Sequence, residues 1–574
     1  MAAKEHTGGV YDMKKHLAAL CALCLLLWGG AALAETEIIL SDAGVTAGAG
    51  VEIDGERIAI VESGSYRLTG TMTEGSLSVE AEDVELIWDG AQLACSTTAP
   101  LTARGDLRLT LPAGGSGTVS DLRRAENADD EDAAIVAGGE IAVSGEGTLA
   151  VVGQAGHGLR AAALRIEGGD LSILAGGDGA HLEAEEGEAC FTLAGGQLTA
   201  NADGHGVYAG GDARIEGGDL RLETESDGLY VEGTLFLSDG AMEVSAGGGA
   251  GTASPTASYF DDFFGYDPFE FFFGDGFYGG YEGYGDAPAA RGHDAVSAAE
   301  IRMEGGSLVL DASGDGLRAD GAMTMTGGAL SVACGEDGLR AGGDLNVSGG
   351  VIWVDECEIG LAGAGVAVEN AEVSLVCAEA GVQALSERGG DVRVLEGAKL
   401  AITSGGDGIS AGADVYLAGG ETNLWCAGRD GAALDAGGEI FADGGTLIAA
   451  GRGDSAAIAE DSAQNVLRAR FNGTLREGAR VVVENESGEA VFSFAPENDF
   501  SRLLLTSPAL QQGETYTLYV EGEALGIATV DGAETYFRGD FTDERDERNG
   551  RDEQRDEDDG REAQPSMESG AERI

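Results

Sequence analysis

The side chains able to do chemistry in this sequence recur in fixed positions. Asp315-Gly316-Leu317-Arg318-Ala319 returns about twenty-two residues later as Asp337-Gly338-Leu339-Arg340-Ala341. Related copies open at His157-Gly158, Asp178-Gly179, His205-Gly206, Asp227-Gly228, Asp407-Gly408 and Asp430-Gly431, with degenerate ones at Asp294, Ile359-Gly360, Ala380-Gly381 and Asp454. If the copies stack, their first residues form a column: His157, Asp178, His205, Asp227, Asp294, Asp315, Asp337, then a shorter set at Asp407, Asp430 and Asp454. Neighbouring carboxylates in such a column repel by roughly 1 kcal/mol in water, and by about four times that at an effective dielectric near 20. Something must compensate. Turn hydrogen bonds to Asp are one answer, since Asp-Gly is a common turn pair. Calcium is another, because it takes carboxylate and carbonyl oxygens. On that reading its ligands come from Asp178, Asp227, Asp294, Asp315, Asp337, Asp407 and Asp430. No twelve-residue calcium loop is present, and His157 and His205 flanking Asp178 can relieve repulsion without metal.

Three residues further on lies a second column: Arg160, His181, Tyr208, Tyr230, Ser297, Arg318 and Arg340. Leu317 and Ala319 flank Arg318 as inward residues, so this column is expected to point outward. Tyr faces stack on sugar rings, and Arg forks hold carboxylates bidentately. Arg160, His181, Tyr208, Tyr230, Arg318 and Arg340 are therefore the candidate carbohydrate contacts. The plainer alternative is a solvated ladder in which each Arg pairs with a nearby Asp.

The elements that would position these columns are short strands. Within each copy apolar and polar residues alternate, as at Met323-Thr324-Met325 and Ala329-Leu330-Ser331-Val332, the period of a half-buried strand. Asp-Gly and Gly-Gly pairs fall between them, where a left-handed backbone is expected. One copy cannot bury its own apolar face, but stacked copies can. The sequence therefore predicts an all-β, right-handed parallel β-helix, with like positions about 4.8 Å apart.

The helix is expected over residues 133–464. Residues 247–292 interrupt it with a Gly-rich aromatic run that includes Phe263, Phe264, Phe271, Phe272 and Phe273, read either as an inserted loop or as an adhesive surface. Residues 35–132 alternate without a clear period and read as an N-terminal cap with the first irregular coils. Residues 465–537, with Val481-Val482-Val483 and Tyr516-Thr517-Leu518-Tyr519, read as a small C-terminal β cap. Residues 538–574 are charged and nearly free of apolar side chains, so they are expected to be disordered.

Met13-Lys14-Lys15, an apolar run from Leu17 to Trp28, and Ala32-Leu33-Ala34 make a signal peptide over residues 1–34, with an extended N-terminus before it. The mature chain is then expected outside the cell, possessing no transmembrane segment. Cys95, Cys190, Cys334, Cys357, Cys377 and Cys426 match no zinc spacing and read as buried thiols. The formal charge is −67, from 101 acidic and 34 basic residues. Such a surface excludes nucleic acid as a partner.

Several of these segments resemble one family. Gly64-Ser65-Tyr66-Arg67-Leu68-Thr69-Gly70-Thr71, Val84-Glu85-Leu86-Ile87-Trp88-Asp89-Gly90-Ala91, the Asp-Gly-Leu-Arg-Ala and Gly-Gly-x-Leu repeats, and Ser507-Pro508-Ala509-Leu510-Gln511-Gln512-Gly513-Glu514-Thr515-Tyr516 are similar to bacterial secreted carbohydrate-binding proteins with a pectate-lyase-like β-helix. The resemblance spans roughly residues 60–520. It implies extracellular binding of polysaccharide, pectin-like or cellulosic, with calcium as the ion. The family often carries Lys where Arg318 and Arg340 stand, and it offers no counterpart to residues 247–292. No catalytic residue carries over. The leading expectation is a non-catalytic polysaccharide-binding protein. A calcium-dependent pectate lyase, with Arg318 or Arg340 as base, and a structural surface adhesin are the alternatives.

Overall fold

A computed structural model describes residues 35–124, 132–184, 188–252, 292–384, 390–429 and 431–539. The leader, most of the aromatic insertion, Asp430 and the acidic tail beyond residue 539 lie outside the described residues.

The repeat folds as a parallel β-solenoid. A typical coil contributes three strands, His157–Ala161, Ala163–Ile166 and Asp170–Ala175. Each pairs in parallel with its counterparts one coil before and one coil after. Three ladders result. The alternation seen in sequence is the reason: Leu317 and Ala319 are buried, as are Leu339 and Ala341, and the Arg between each pair faces outward. The inward residues join one continuous apolar core. Cys95, Cys190, Cys334, Cys357, Cys377 and Cys426 are all buried free thiols.

Parallel pairing reaches back into the segment where the sequence shows no period. Thr36–Ser41 pairs with Gly64–Met72, which pairs with Val84–Trp88, which pairs with Leu107–Leu111. Leu229–Leu237 pairs directly with Val296–Met303 across the interruption. The coil thus resumes on its far side, with one shift of register between Val231 and Thr234. At the C-terminal end Phe500–Thr506 runs antiparallel to both Ile440–Gly451 and Val466–Leu475 and ends the parallel stacking. Beyond it, five antiparallel strands ordered Ala490–Phe494, Val481–Asn485, Thr515–Val520, Glu523–Thr529 and Arg538–Gly539 form a separate sheet with its own core.

The glycines divide into two kinds. In several Gly-Gly pairs the second Gly is left-handed, for example Gly328 at φ 92° and Gly350 at φ 90°, as a tight bend requires. The Gly of the coil-opening Asp-Gly pairs, as at Gly316 and Gly338, is not. A Cβ on Gly316 would lie 2.3 Å from Val332 Cγ1 and 2.6 Å from the carbonyl oxygen of Gly338, its counterpart one coil on. Close approach of stacked backbones, not backbone handedness, selects glycine there.

Candidate carbohydrate-binding face

The coil-opening residues are in the wall of the solenoid. Asp178, Asp294, Asp315 and Asp337 are buried, and Asp227 and Asp407 are half-buried. Their side chains reach along the solenoid axis. Asp178 Oδ1 accepts the backbone N–H of His205 at 2.8 Å, Asp227 Oδ1 that of Asp294 at 2.9 Å, Asp294 Oδ1 that of Asp315 at 2.8 Å, and Asp315 Oδ1 that of Asp337 at 2.8 Å. Asp407 Oδ1 accepts the N–H of Ala432 at 2.7 Å. His157 does the same through Nδ1, accepting from the Asp178 N–H at 2.9 Å. Asp and His interchange in this column because both present an acceptor at the same reach.

Charge in the column is handled differently at its two ends. Burial alone would raise Asp178, but hydrogen bonds with His181 at 2.7 Å and His205 at 3.1 Å outweigh it and hold the carboxyl well below the usual range. Burial, aided by the stacked carboxylates of Asp315 and Asp227, pushes Asp294 up to about 8. Burial and Asp315 push Asp337 up to about 8. Asp315 rises to about 6, again through burial, with Arg340 and Arg318 pulling it back. Protons, Arg side chains and backbone N–H groups thus compensate these carboxylates. A calcium column fits them poorly: Oδ1 of Asp178, Asp227, Asp294, Asp315 and Asp407 is already used, Asp315 and Asp337 are almost wholly inaccessible, and guanidinium groups stand beside them. Among the described residues, three ligating side chains converge only at His157, Asp178 and His181. There the two imidazoles stack at 4.6 Å, with their planes 28° apart. Nearly parallel rings cannot both hold one ion in their planes, so this triad reads as a charge-satisfying cluster.

The second predicted column is one continuous ladder. Arg160 pairs in register with His181, His181 with Tyr208, Tyr208 with Tyr230, Tyr230 with Ser297, Ser297 with Arg318, and Arg318 with Arg340. All seven are half-buried. The rings do not lie flat on the surface as sugar platforms. His181 and Tyr208 stack at 4.5 Å with planes 7° apart, and Tyr208 and Tyr230 at 5.6 Å with planes 5° apart. Their faces are therefore turned along the solenoid axis, onto one another. Arg160 pairs with Glu183 at 3.1 Å and Tyr208 Oη donates to Glu232 at 2.5 Å. Arg340 donates to Asp337 at 2.9 Å. Arg318 differs: its carboxylate neighbours Asp315, Asp320 and Asp294 stand at 3.7, 3.8 and 4.0 Å, beyond hydrogen-bond reach.

A family model described as carbohydrate-binding domain-containing protein matches residues 54–338. That stretch belongs to the family. It holds the ladder from Arg160 through Arg318, and Arg340 lies just beyond its end. A solved structure described as the polysaccharide lyase-like protein from C. thermocellum is 20% identical, covering 37% of this chain and 92% of that one, with a TM-score of 0.33. No curated protein matches.

A further outward column is not evident from the sequence alone. On the adjoining ladder Arg165, Thr192, Arg214, Phe236, Arg302, Thr324, Asn346, Ala367, Arg393, Tyr416 and Phe441 stand in register. The guanidinium carbons of Arg214 and Arg302 lie 4.7 and 5.5 Å from the Phe236 ring centre, and Arg393 lies 5.3 Å from that of Tyr416. Such contacts cover an outward aromatic ring that water would otherwise wet. Counting six residues on from Tyr208 and Tyr230 reaches Arg214 and Phe236, but the interval changes in other coils.

Among the described residues no helix is long and apolar enough to cross a membrane.

Proposed function

We propose that this chain is a non-catalytic, extracellular carbohydrate-binding protein that holds an extended polysaccharide, pectin-like or cellulosic, along the ladder from Arg160 to Arg340. The observation that carries the reading is an outward column of rings and guanidinium groups, continuous through the stretch that matches the carbohydrate-binding family. The column supplies one open ring face at Tyr230, hydroxyls and the Arg318 donors, the groups that recognise sugars. The case against catalysis is chemical. Asp315 and Asp337 are spent on the coil's own hydrogen bonds or ion pairs, and each repeats a role seen in neighbouring coils. A lyase needs one base set apart from its surroundings.

Retention on insoluble polygalacturonate and cellulose, with calcium and with chelator, tests the reading. The protein is expected to be retained on at least one polymer and to release no unsaturated product detectable by ultraviolet absorbance. Product would establish a lyase instead. Replacing Tyr208, Tyr230 and Arg318 together with Ala should abolish retention, and undiminished retention would move the site off this ladder. Calcium is proposed only as an aid to acidic ligands, so chelation should weaken retention on polygalacturonate alone.

A further inference from the structure

The ring ladder stops one coil short. His157, His181, Tyr208 and Tyr230 stack in succession, and the next position is Ser297. Tyr230 meets rings at Tyr208 and His205. Toward the Ser297 coil no ring or cation covers it among the described residues, and its hydroxyl makes no hydrogen bond there. One coil beyond Ser297 stands Arg318, whose nearest carboxylates are 3.7 to 4.0 Å away. Arg318 thus has unspent donors, whereas the next rung, Arg340, is bonded at 2.9 Å.

Two coils separate Tyr230 from Arg318, about 9.6 Å at the usual strand spacing. A ring placed midway would stack on Tyr230 at about the 4.5 to 5.6 Å at which the ladder's own rings stack. Ser297 is too small to fill that space and has neighbours Val296 and Ala298 buried beneath it, so its hydroxyl forms the floor. Beneath Arg318, Asp315 keeps Oδ2 buried without a hydrogen bond, which leaves the guanidinium anchored by charge yet free to donate.

We infer that the gap over Ser297 is a subsite for one pyranose ring bearing a carboxylate, its apolar face on Tyr230 and its carboxylate on Arg318. The inference rests on the polysaccharide-binding reading and deepens it. An aromatic face accepts the C–H side of a sugar. A guanidinium with open donors prefers a planar carboxylate, which it can hold through two parallel hydrogen bonds. A neutral sugar would use the ring and leave the fork half engaged. The subsite therefore selects a uronate over a neutral hexose.

The test fills the gap. Ser297→Tyr continues the ring ladder on an outward position, so the fold should be kept, as its melting profile will show. Calorimetric binding of trigalacturonate and of cellotriose is then compared for the wild type, Ser297→Tyr and Arg318→Gln. The wild type is expected to prefer trigalacturonate. Ser297→Tyr should lose that binding by at least about tenfold, and Arg318→Gln should erase the preference by about tenfold, the worth of one charge-assisted pair. Equal binding by Ser297→Tyr overturns the subsite and leaves polymer binding standing, and so does a wild type that is retained on polymer but ignores both trisaccharides. A wild type that binds neither trisaccharide nor polymer overturns both readings. If Ser297→Tyr does not fold, Arg318→Gln decides alone: an unchanged preference for the acidic sugar overturns the proposal.

Discussion

Asp178 and Asp315 open coils of the same column, and each gives Oδ1 to the backbone N–H of the next coil at 2.8 Å. Their surroundings differ. Asp178 lies among three imidazoles, with His181, His205 and His157 nitrogens 2.7, 3.1 and 3.4 Å from its oxygens. Asp315 lies between Asp294 and Asp337, with Arg318 at the side. One stretch meets buried charge with hydrogen bonds from imidazoles, and the other meets it largely with protons. The shared feature is therefore the reach of the acceptor to the next coil. Charge is a burden that each stretch handles separately.

The strongest way to break the comparison is to attack what the stretches share. A Cβ on Gly316 would sit 2.6 Å from the Gly338 oxygen, and one on Gly179 would sit 2.5 Å from the Gly206 oxygen and 2.8 Å from Ala200 Cβ. The contacted atoms are backbone or rigid wall, which cannot yield cheaply. Gly316→Ala and Gly179→Ala should each cost about 3 kcal/mol, read as lost protection of amides in the flanking coils. If one site tolerates Ala, the stretches do not share a stacking geometry.

A second test uses the feature that separates them. Asp294 and Asp337 have folded values near 8, raised above the ordinary carboxylate value by burial and stacked carboxylates. A raised folded value means that the folded state holds protons the unfolded chain has released. The stabilisation is complete below the unfolded value near 4 and is lost as pH climbs to about 8. Asp178 is depressed, so its contribution is present above about 4 and lost on acidification. Asp294→Asn and Asp337→Asn keep the Oδ1 acceptor and imitate the protonated acid. Their melting temperatures relative to the wild type should rise steadily from pH 4 to pH 8. A difference that stays flat over that window would show that these carboxyls titrate normally. His205 is also raised, because the pull of Asp178 outweighs burial. Removing it with His205→Ala should therefore reduce stability at pH 5 more than at pH 8.

These contrasts explain what the sequence could and could not reveal. The strands were legible because Leu317-Arg318-Ala319 and Leu339-Arg340-Ala341 repeat an inward and outward pattern at one phase. The ladder from Arg160 to Arg340 was legible for the same reason, since parallel stacking preserves that phase. The role of the Asp column was hidden. Its bonds run from side chain to backbone between residues as distant as Asp227 and Asp294, and a sequence records neither the bond nor the burial that forces it. The Arg214 and Phe236 column was hidden by bends of unequal length, which place Arg302 five residues after Ser297 but Arg393 ten after Gln383. The direction of the Tyr faces was hidden too, because residue type says nothing about which neighbour a ring covers.

The smallest expected effect concerns those faces. Tyr208 is held by His181 at 4.5 Å on one side and Tyr230 at 5.6 Å on the other, while its hydroxyl donates to the exposed carboxylate of Glu232. If stacking fixes the ring, Tyr208→Phe loses only an exposed hydrogen bond and should change stability by no more than about 0.5 kcal/mol. Tyr208→Ala instead removes the ring between two others and leaves Tyr230 with only the tilted His205 ring against it. It should cost about 1–2 kcal/mol more than Tyr208→Phe, since aromatic pairs contribute beyond their buried area. Equal losses in thermal melts of the two variants would mean that the Glu232 bond, not the stack, aligns the ladder. The orientation of Tyr230 toward Ser297 would then depend on hydrogen bonding at the coil's edge.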